Sequence, residues 1–501
     1  MSYYVIGIGG TGAKCVESFI HLCAAGLMPD NKSLFALFVD PDGSNGSLKR
    51  AETLLQNYYD CKQLRLGDTQ LFKTGLRIAQ PDVWSPLQDK PPRLDEFFHY
   101  NTLGQTAAHL FDVLYSRKEK ETKLDYGFRG HPSIGAAVMA AAVRLGDEEP
   151  WASLRNQLKL DVGSGEDAKV ILFGSIFGGT GAAGVPTISR LVSNEFAAQI
   201  KGDRFKLGSV LMLPYFSFDP VEGERLRVDA DNFLLSTQTA LTYYYHQDDL
   251  KVCNAVYLLG NETLKPMRAS SIGGQQQENE PHLLEMYAAL AALHFFAQEN
   301  VDGYPHIARA MKEKTDWTDL PHEQGFQQLK QKLNQLARFA FAYLTAYYPM
   351  LEDINKNGGD YRAPWYVNLF KRKKVDLKSS MEQELKQLKA YCESFLLWLA
   401  NVEQSLSGDD SMTKGHLVNY NAFAETALDE NGKQIIKLRP PGQFDREAFG
   451  NLLLPITKEY KKALSQLWEE MSDWKVKDPT ADGVGRFARA LYDACGKVQA
   501  E

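Results

Sequence analysis

The sequence predicts an α/β fold: a mostly parallel sheet with helices on both faces, a long core helix, and a mainly helical C-terminal region. Three observations predict it. Short apolar β-type runs alternate with helical patterns over the first 265 residues, as parallel strands joined by helical crossovers do. Two of those runs end in glycine-rich loops, Gly9-Gly10-Thr11-Gly12 and Gly178-Gly179-Thr180-Gly181. Later, Pro281 to Glu299 is hydrophobic on nearly every face, the pattern of a buried helix.

Taken in order, the first strand is Tyr3–Ile8, which feeds the first glycine loop and a helix-compatible stretch from Ala13 to Ala25. The second is Leu34–Val39, closed by Asp40. Residues 45–129 are less regular; Pro81, Pro86, Pro91 and Pro92 predict a loop-rich insertion with one helix near Thr102–Tyr115. The apolar segment Ile134–Val143 is about half the ~20 residues of a membrane span and reads as a buried helix. Val170–Ile176 leads to the second glycine loop, followed by a helical stretch from Val185 to Ile200. Leu207–Leu213 and Ala255–Leu259 complete the strands. In open α/β sheets the carboxyl ends of the strands carry the ligand, and Gly9–Gly12, Asp40, Gly178–Gly181, residues 214–222 and Asn261 all follow such ends.

Gly273-Gly274-Gln275-Gln276-Gln277 marks a flexible break before the core helix. Residues 324–348 and 379–406 show helical periodicity, and helix resumes from Trp468. Glu430-Asn431-Gly432, between Leu417 and Leu438, predicts a hairpin.

Composition excludes several classes. The net charge of −7 and the absence of a long basic stripe argue against nucleic acid, and Lys371-Arg372-Lys373-Lys374 reads as a solvated helix end. Six scattered cysteines without a C-x-x-C pair argue for reduced thiols and against a zinc site. With no signal core and no membrane-length apolar run, the expectation is a cytoplasmic protein without a membrane span. No set of residues for a protein-held metal is apparent, and the P-loop, nucleophile-elbow and zincin motifs are missing.

Consecutive glycines let backbone N–H groups close on an anion, and a helix starting there adds its positive dipole end. Gly7-Ile8-Gly9-Gly10-Thr11-Gly12 also satisfies the dinucleotide fingerprint G-x-G-x-x-G, with Asp40 after the next strand. A nicotinamide-dependent oxidoreductase has no need for the second loop at Gly178–Gly181, which makes that reading the weaker one.

The ordered series of motifs resembles the tubulin/FtsZ superfamily of filament-forming GTPases, most closely its divergent prokaryotic members. Phe177-Gly178-Gly179-Thr180-Gly181-Ala182-Ala183-Gly184 resembles the signature G-G-G-T-G-S/T-G, with Phe177 for the first glycine and Ala182 for the hydroxyl residue. Phe38-Val39-Asp40 resembles N-T-D, and Gly127–Gly135 resembles the loop that approaches the terminal phosphate, with Arg129 and Gly130 inside it. Residues 214–225 resemble P-F-N-F-E-G-K-K-R, which implies Glu222 as acceptor of a ribose hydroxyl. Leu258–Glu262 resembles I-T-I-P-N-D, which implies Asn261 on the ribose or base edge, and Leu283–Tyr287 implies Tyr287 stacked on the base. The position of the family's base-reading Asn or Asp falls on Ala291 or Ala292. Lys314–Leu320 resembles the catalytic loop N-V-D-F-A-D-V, which implies Asp316 and Asp319 as acids that orient the attacking water in a neighbouring subunit.

The resemblance therefore implies a GTPase that binds GTP/GDP, with ATP left open and Mg2+ held through the phosphates. It implies head-to-tail self-assembly, and the alternative it leaves is a nucleotide-binding scaffold or switch with little or no hydrolysis. The expected division is a nucleotide-binding domain in residues 1–265, the break, core helix and catalytic loop in 266–325, and a helical domain in 326–501 that could carry a protein partner.

Overall fold

The computed structural model describes residues 2–28, 33–88, 93–124, 127–128, 131–142, 148–197, 204–218, 230–247, 250–261, 264–267, 279–298, 306–307, 316–317, 326–357, 361–373, 380–406, 416–429, 432, 434–450, 452, 463–475 and 478–498. Its strands, in chain order, are β1 (Ser2–Ile8), β2 (Ser33–Val39), β3 (Gly75–Trp84), β4 (Ala168–Ser175), β5 (Phe205–Met212), β6 (Phe216–Phe218), β7 (Ala255–Leu259), β8 (Lys265–Met267), β9 (His306–Ile307), β10 (Ala424–Leu428) and β11 (Gln434–Leu438). Seven form one sheet in the order β3-β2-β1-β4-β5-β7-β9, every pairing parallel. Strand order reverses between β1 and β4, and both glycine loops follow those two strands. That is the switch point at which open α/β sheets bind ligands.

The period of two along each strand builds two cores. Tyr3 and Val5 of β1 face one core, with Ile171 and Phe173 of β4. Tyr4, Ile6 and Ile8 face the other, with Val170 and Leu172. Helices α1 (Gly9–Ala24) and α2 (Gly46–Gln63) cover the first face. The insertion α3 (Leu94–Phe97), α4 (Gln105–Leu114) and α5 (Arg117–Glu121) follows β3, and α6 (Pro132–Ala142), α7 (Trp151–Gly163), α8 (Gly179–Ala197) and α9 (Ala230–Gln247) pack on the second face.

The long apolar helix is α10 (Leu283–Ala297), and it returns to the first face, against α1. Its start lies near Tyr215, just past the carboxyl end of β5. Its end is capped by Lys169, two residues into β4, whose ammonium donates to Phe295 O at 3.3 Å, Phe296 O at 3.0 Å and Gln298 O. The helix therefore runs from the carboxyl edge of the sheet to the amino edge. Lys169 is 2% exposed, and the orphan carbonyls of a helix end suit a buried ammonium.

Beyond it come α11 (Phe326–Ala342), a π turn (Tyr343–Tyr347), α12 (Tyr348–Asn357), α13 (Pro364–Leu369), α14 (Ser380–Ser405), the β10–β11 hairpin, α15 (Ala463–Asp473) and α16 (Gly483–Lys497). Helix α14 lies on α1 and α2, with the Trp398 indole N–H on Ser18 Oγ at 3.2 Å. One apolar cluster runs without a break from α1, α2 and α10 into α11, α14 and α16. The C-terminal helices thus complete the core of the first sheet face. Among the described residues, no helix is long and apolar enough to cross a membrane.

The insertion differs from the expectation. Residues 45–129 also hold α2 and the edge strand β3, besides the expected helix, here Gln105–Leu114. Asn45 caps α2, its Oδ1 accepting from Leu48 N at 3.1 Å, and Leu48, Ala51, Leu54, Leu55, Tyr58 and Cys61 form its buried stripe. Pro81 hid β3; an edge strand tolerates it, and the pairing shifts register opposite Ala36 and Phe38.

Candidate functional site

Both glycine loops are themselves the first turns of helices. The sequence placed the helix starts near Ala13 and Val185, because glycine is a poor helix former. In the structure α1 begins at Gly9, whose φ of +73° lets β1 turn directly into it, and α8 begins at Gly179. A Cβ on Gly12 would lie 2.5 Å from Phe173 O, and one on Gly181 would lie 2.3 Å from Ser175 O. These two glycines are needed for the helices to approach the sheet, whatever the loops bind.

The loops meet. A Cβ on Gly9 would lie 3.3 Å from Thr180 Cβ, and one on Gly127 would lie 3.9 Å from Thr180 Oγ1. Gly9, Gly12, Gly179, Gly181 and Ala182 are buried, whereas Gly10, Thr11, Gly178 and Thr180 keep part of their surface open. Helix α1 has no side-chain cap. The first N–H groups of a helix have no intrahelical acceptor, and the positive dipole end lies with them.

Asp40 closes β2 and is 3% exposed. Its Oδ1 accepts Asp42 N at 3.0 Å, and Asp42 in turn holds Ser44 Oγ at 2.6 Å. Asn45 then packs against Gly10, whose Cβ would lie 3.1 Å from Asn45 Nδ2. The 40–45 turn therefore walls the first glycine turn. Burial pushes the Asp40 carboxyl up to about 8, and the Asp42 carboxylate adds to the rise. Between the ordinary value of 3.8 and about 8, the folded chain holds a proton that the unfolded chain has released. Stability therefore falls as pH rises through that window. Asp40→Asn is expected to melt increasingly above the parent from pH 5 to pH 9; a constant difference in melting temperature would show that Asp40 does not titrate there.

Asn261 follows β7. Its N–H donates to Pro214 O at 3.3 Å, and its Oδ1 is buried with no hydrogen-bond partner. A buried, unpaired amide oxygen costs about 1–3 kcal/mol, which a ligand donor removes. Tyr287 sits in the second turn of α10 at 7% exposure, and Ala291 and Ala292 are buried in the core. Phe128 is buried beside Gly135 of α6, while His131 faces Glu119 of the insertion at 3.7 Å. Arg129, Gly130, Glu222 and Asp319 lie outside the described residues.

One network at this end was missed by sequence reasoning. Lys14 lies just past the first glycine turn, 2% exposed, with its ammonium 2.5 Å from Glu285 Oε1, itself fully buried. The Tyr215 hydroxyl donates to the same oxygen at 2.6 Å and accepts from Lys14 at 3.3 Å. Burial raises the Tyr215 phenol first, and Glu285 adds to the rise. The other Glu285 oxygen accepts His282 N at 2.8 Å and caps α10. The first turns of α1 are thereby tied, through Lys14, to the cap of the core helix. The available signal was a lysine flanked by Ala13 and Cys15 on an apolar helix, which requires a buried acid.

Asp316 stands elsewhere than the far end of α10. After α10 the chain re-enters the sheet as β9, parallel to β7, which carries it back toward the carboxyl edge. Trp317 is 1% exposed in the core, and the Asp316 charge helps raise the His416 imidazole, chiefly raised by its bond to Glu403. His416 Nδ1 lies 2.8 Å from Glu403 Oε2, near the end of α14, where Ser405 Oγ accepts Leu283 N at 3.0 Å. Asp316 is therefore placed at the end of α10 that the glycine turns share.

No family model and no curated protein matches the chain. Among solved structures it is similar to a GTPγS-bound protofilament of CetZ2 from Haloferax volcanii, at 13% identity and a TM-score of 0.29, over 59% of each chain. It is similar to CetZ from Methanosaeta thermophila at 11% identity and a TM-score of 0.28, over 60% of this chain and 57% of that one. The GDP-bound monomer of CetZ1 from Haloferax volcanii gives 14% identity and a TM-score of 0.29, over 60% and 62% of the two chains. The chain thus spans about three fifths of the length of each of these proteins.

Proposed function

We propose that the chain binds a nucleoside triphosphate, GTP by preference, across the two glycine turns, and that the nucleotide governs head-to-tail self-assembly. The observation that carries this reading is the contact between Gly9 and Thr180, which opens two helix amino ends onto one point. A triphosphate offers anionic oxygens to both ends at once. Asn261 Oδ1 suits a ribose or base donor, with Tyr287 and Glu222 as further contacts to the nucleoside. Among the described residues no three His, Cys, Asp or Glu side chains lie close enough to hold a metal. Mg2+ in this reading travels with the phosphates, as that ion commonly does, and Asp40 takes a water of its shell.

Hydrolysis in this reading uses Asp316 and Asp319 to orient water in a neighbour's site, while the helix amino ends meet the phosphate charge. Asp316 has to leave the neighbourhood of His416 to reach that neighbour. The same placement, with Ala182 in place of a hydroxyl, favours a second reading: a nucleotide-binding scaffold without turnover. The dinucleotide reading shares the strand order and Asp40, and the second glycine turn pressed on the first stands against it. The C-terminal helices remain the candidate surface for a protein partner.

Phosphate release from GTP and ATP, followed with polymer pelleting over a range of protein concentrations, tests both readings. Turnover per subunit is expected to climb as polymer appears. The Asp316→Ala/Asp319→Ala chain is expected to bind nucleotide and release phosphate about a hundredfold more slowly. Turnover that stays flat through assembly excludes a shared site, and nucleotide-dependent polymer without phosphate release establishes the scaffold.

A further inference from the structure

At the amino edge of the sheet, across its full depth from the glycine turns, lies a cavity of about 430 Å³. It opens between the end of α2 and the first residues of β2 and β3, and Lys62, Arg65, Lys73, Ser33, Thr69 and Asp68 line it. The volume is in the range of small-ligand sites.

Three cations and one acid give this lining a positive balance, and its ammonium groups are poorly compensated. Lys62 donates to a carbonyl, Lys73 O, at 2.7 Å. Among the described residues no carboxylate pairs with Lys62 or Lys73, whereas Arg65 reaches Asp482 at 3.2 Å. Lys332 is close enough to Lys73 for the two charges to oppose each other, and burial lowers both Lys332 and Lys62. Half-buried like charges are unfavourable, and an anion among them turns their repulsion into attraction. Ser33 and Thr69 add hydroxyl donors and acceptors that fix orientation.

We propose that this cavity is a second ligand site, taking a small anion of two or more charges, a phosphate ester or a polycarboxylate, through Lys62, Lys73 and Arg65. The site is independent of the nucleotide reading, because it lies at the opposite edge of the sheet.

Calorimetric titration of the full chain with pyrophosphate and with citrate, at fixed ionic strength and with saturating MgGTP present, tests it. One anion per chain is expected to bind, with Lys73→Met and Lys62→Gln each weakening it roughly tenfold or more. Pyrophosphate binding more tightly identifies a phosphate ester, and citrate binding more tightly identifies a polycarboxylate. Among the described residues Lys73 makes no ion pair, so Lys73→Met is expected to melt no lower than the parent in sodium chloride, which separates lost binding from lost fold. Titrations of both variants that match the parent, or a parent that takes up neither anion, overturn the proposal. Dependence on Lys73 reads this cavity alone, whatever the glycine turns bind.

Discussion

Glu285→Ala is expected to destabilise the chain by about 3–5 kcal/mol, because it strands the buried Lys14 ammonium in an apolar surround. The Tyr215 hydroxyl loses its acceptor and α10 loses half of its capping box in the same step. The double variant Lys14→Met/Glu285→Leu removes both charges and is expected to recover much of that loss, since apolar replacements of buried pairs are often tolerated. Urea unfolding of the two singles and the double completes the cycle. A double variant as unstable as Glu285→Ala would show that the cap and the Tyr215 bond, not the stranded charge, dominate. Nucleotide affinity of the double variant reports separately on the link from α1 to α10.

The second large effect is acid sensitivity at His21. Its ring lies 4.6 Å from Trp398 and 5.3 Å from Phe395, its Nδ1 is 3.3 Å from the Tyr391 hydroxyl, and its Nε2 has no partner. Burial depresses the imidazole to about 3, and the Arg50 charge pushes in the same direction. The unfolded chain takes up a proton near the ordinary 6.5 that the folded chain refuses. Stability from this group is therefore complete above about pH 6.5 and is lost as pH falls toward 3, at up to about 1.4 kcal/mol per pH unit. His21→Phe keeps the aromatic packing and is expected to flatten that slope. Equal slopes for parent and variant in unfolding measured from pH 7 to pH 4 would place the acid sensitivity elsewhere. The consequence reaches the fold at large, because His21 sits where α14 closes on α1.

The five strands read from the sequence all form, with ends within two residues of those predicted, because continuous apolar runs between turn residues leave little alternative for buried parallel strands. The core helix, the C-terminal helices and the hairpin were legible for the same local reason. Helix α2 had its stripe and cap in plain view, yet the prolines that follow drew the whole segment toward loop. What sequence could not reach was distance. Tyr215 meets Lys14 across 201 residues and Glu285 across 70, and no periodicity encodes such a meeting. The return of the chain to the carboxyl edge depends on β9, two residues long, too short to leave a pattern. The candidate site was legible as a list of loop residues, and its wiring into α10 became visible only in three dimensions.

The contact between Gly9 and Thr180 has a mechanical side. Each helix amino end carries roughly half a positive charge, so two of them side by side at the carboxyl edge of the sheet are like poles. They belong to different halves of the sheet, which the β1–β4 ladder joins from Ser2↔Ala168 to Ile8↔Gly174. Like poles at the end of that ladder repel each other, and an anion seated between them is attracted by both, so the charge held there offsets the repulsion built into the middle of the sheet.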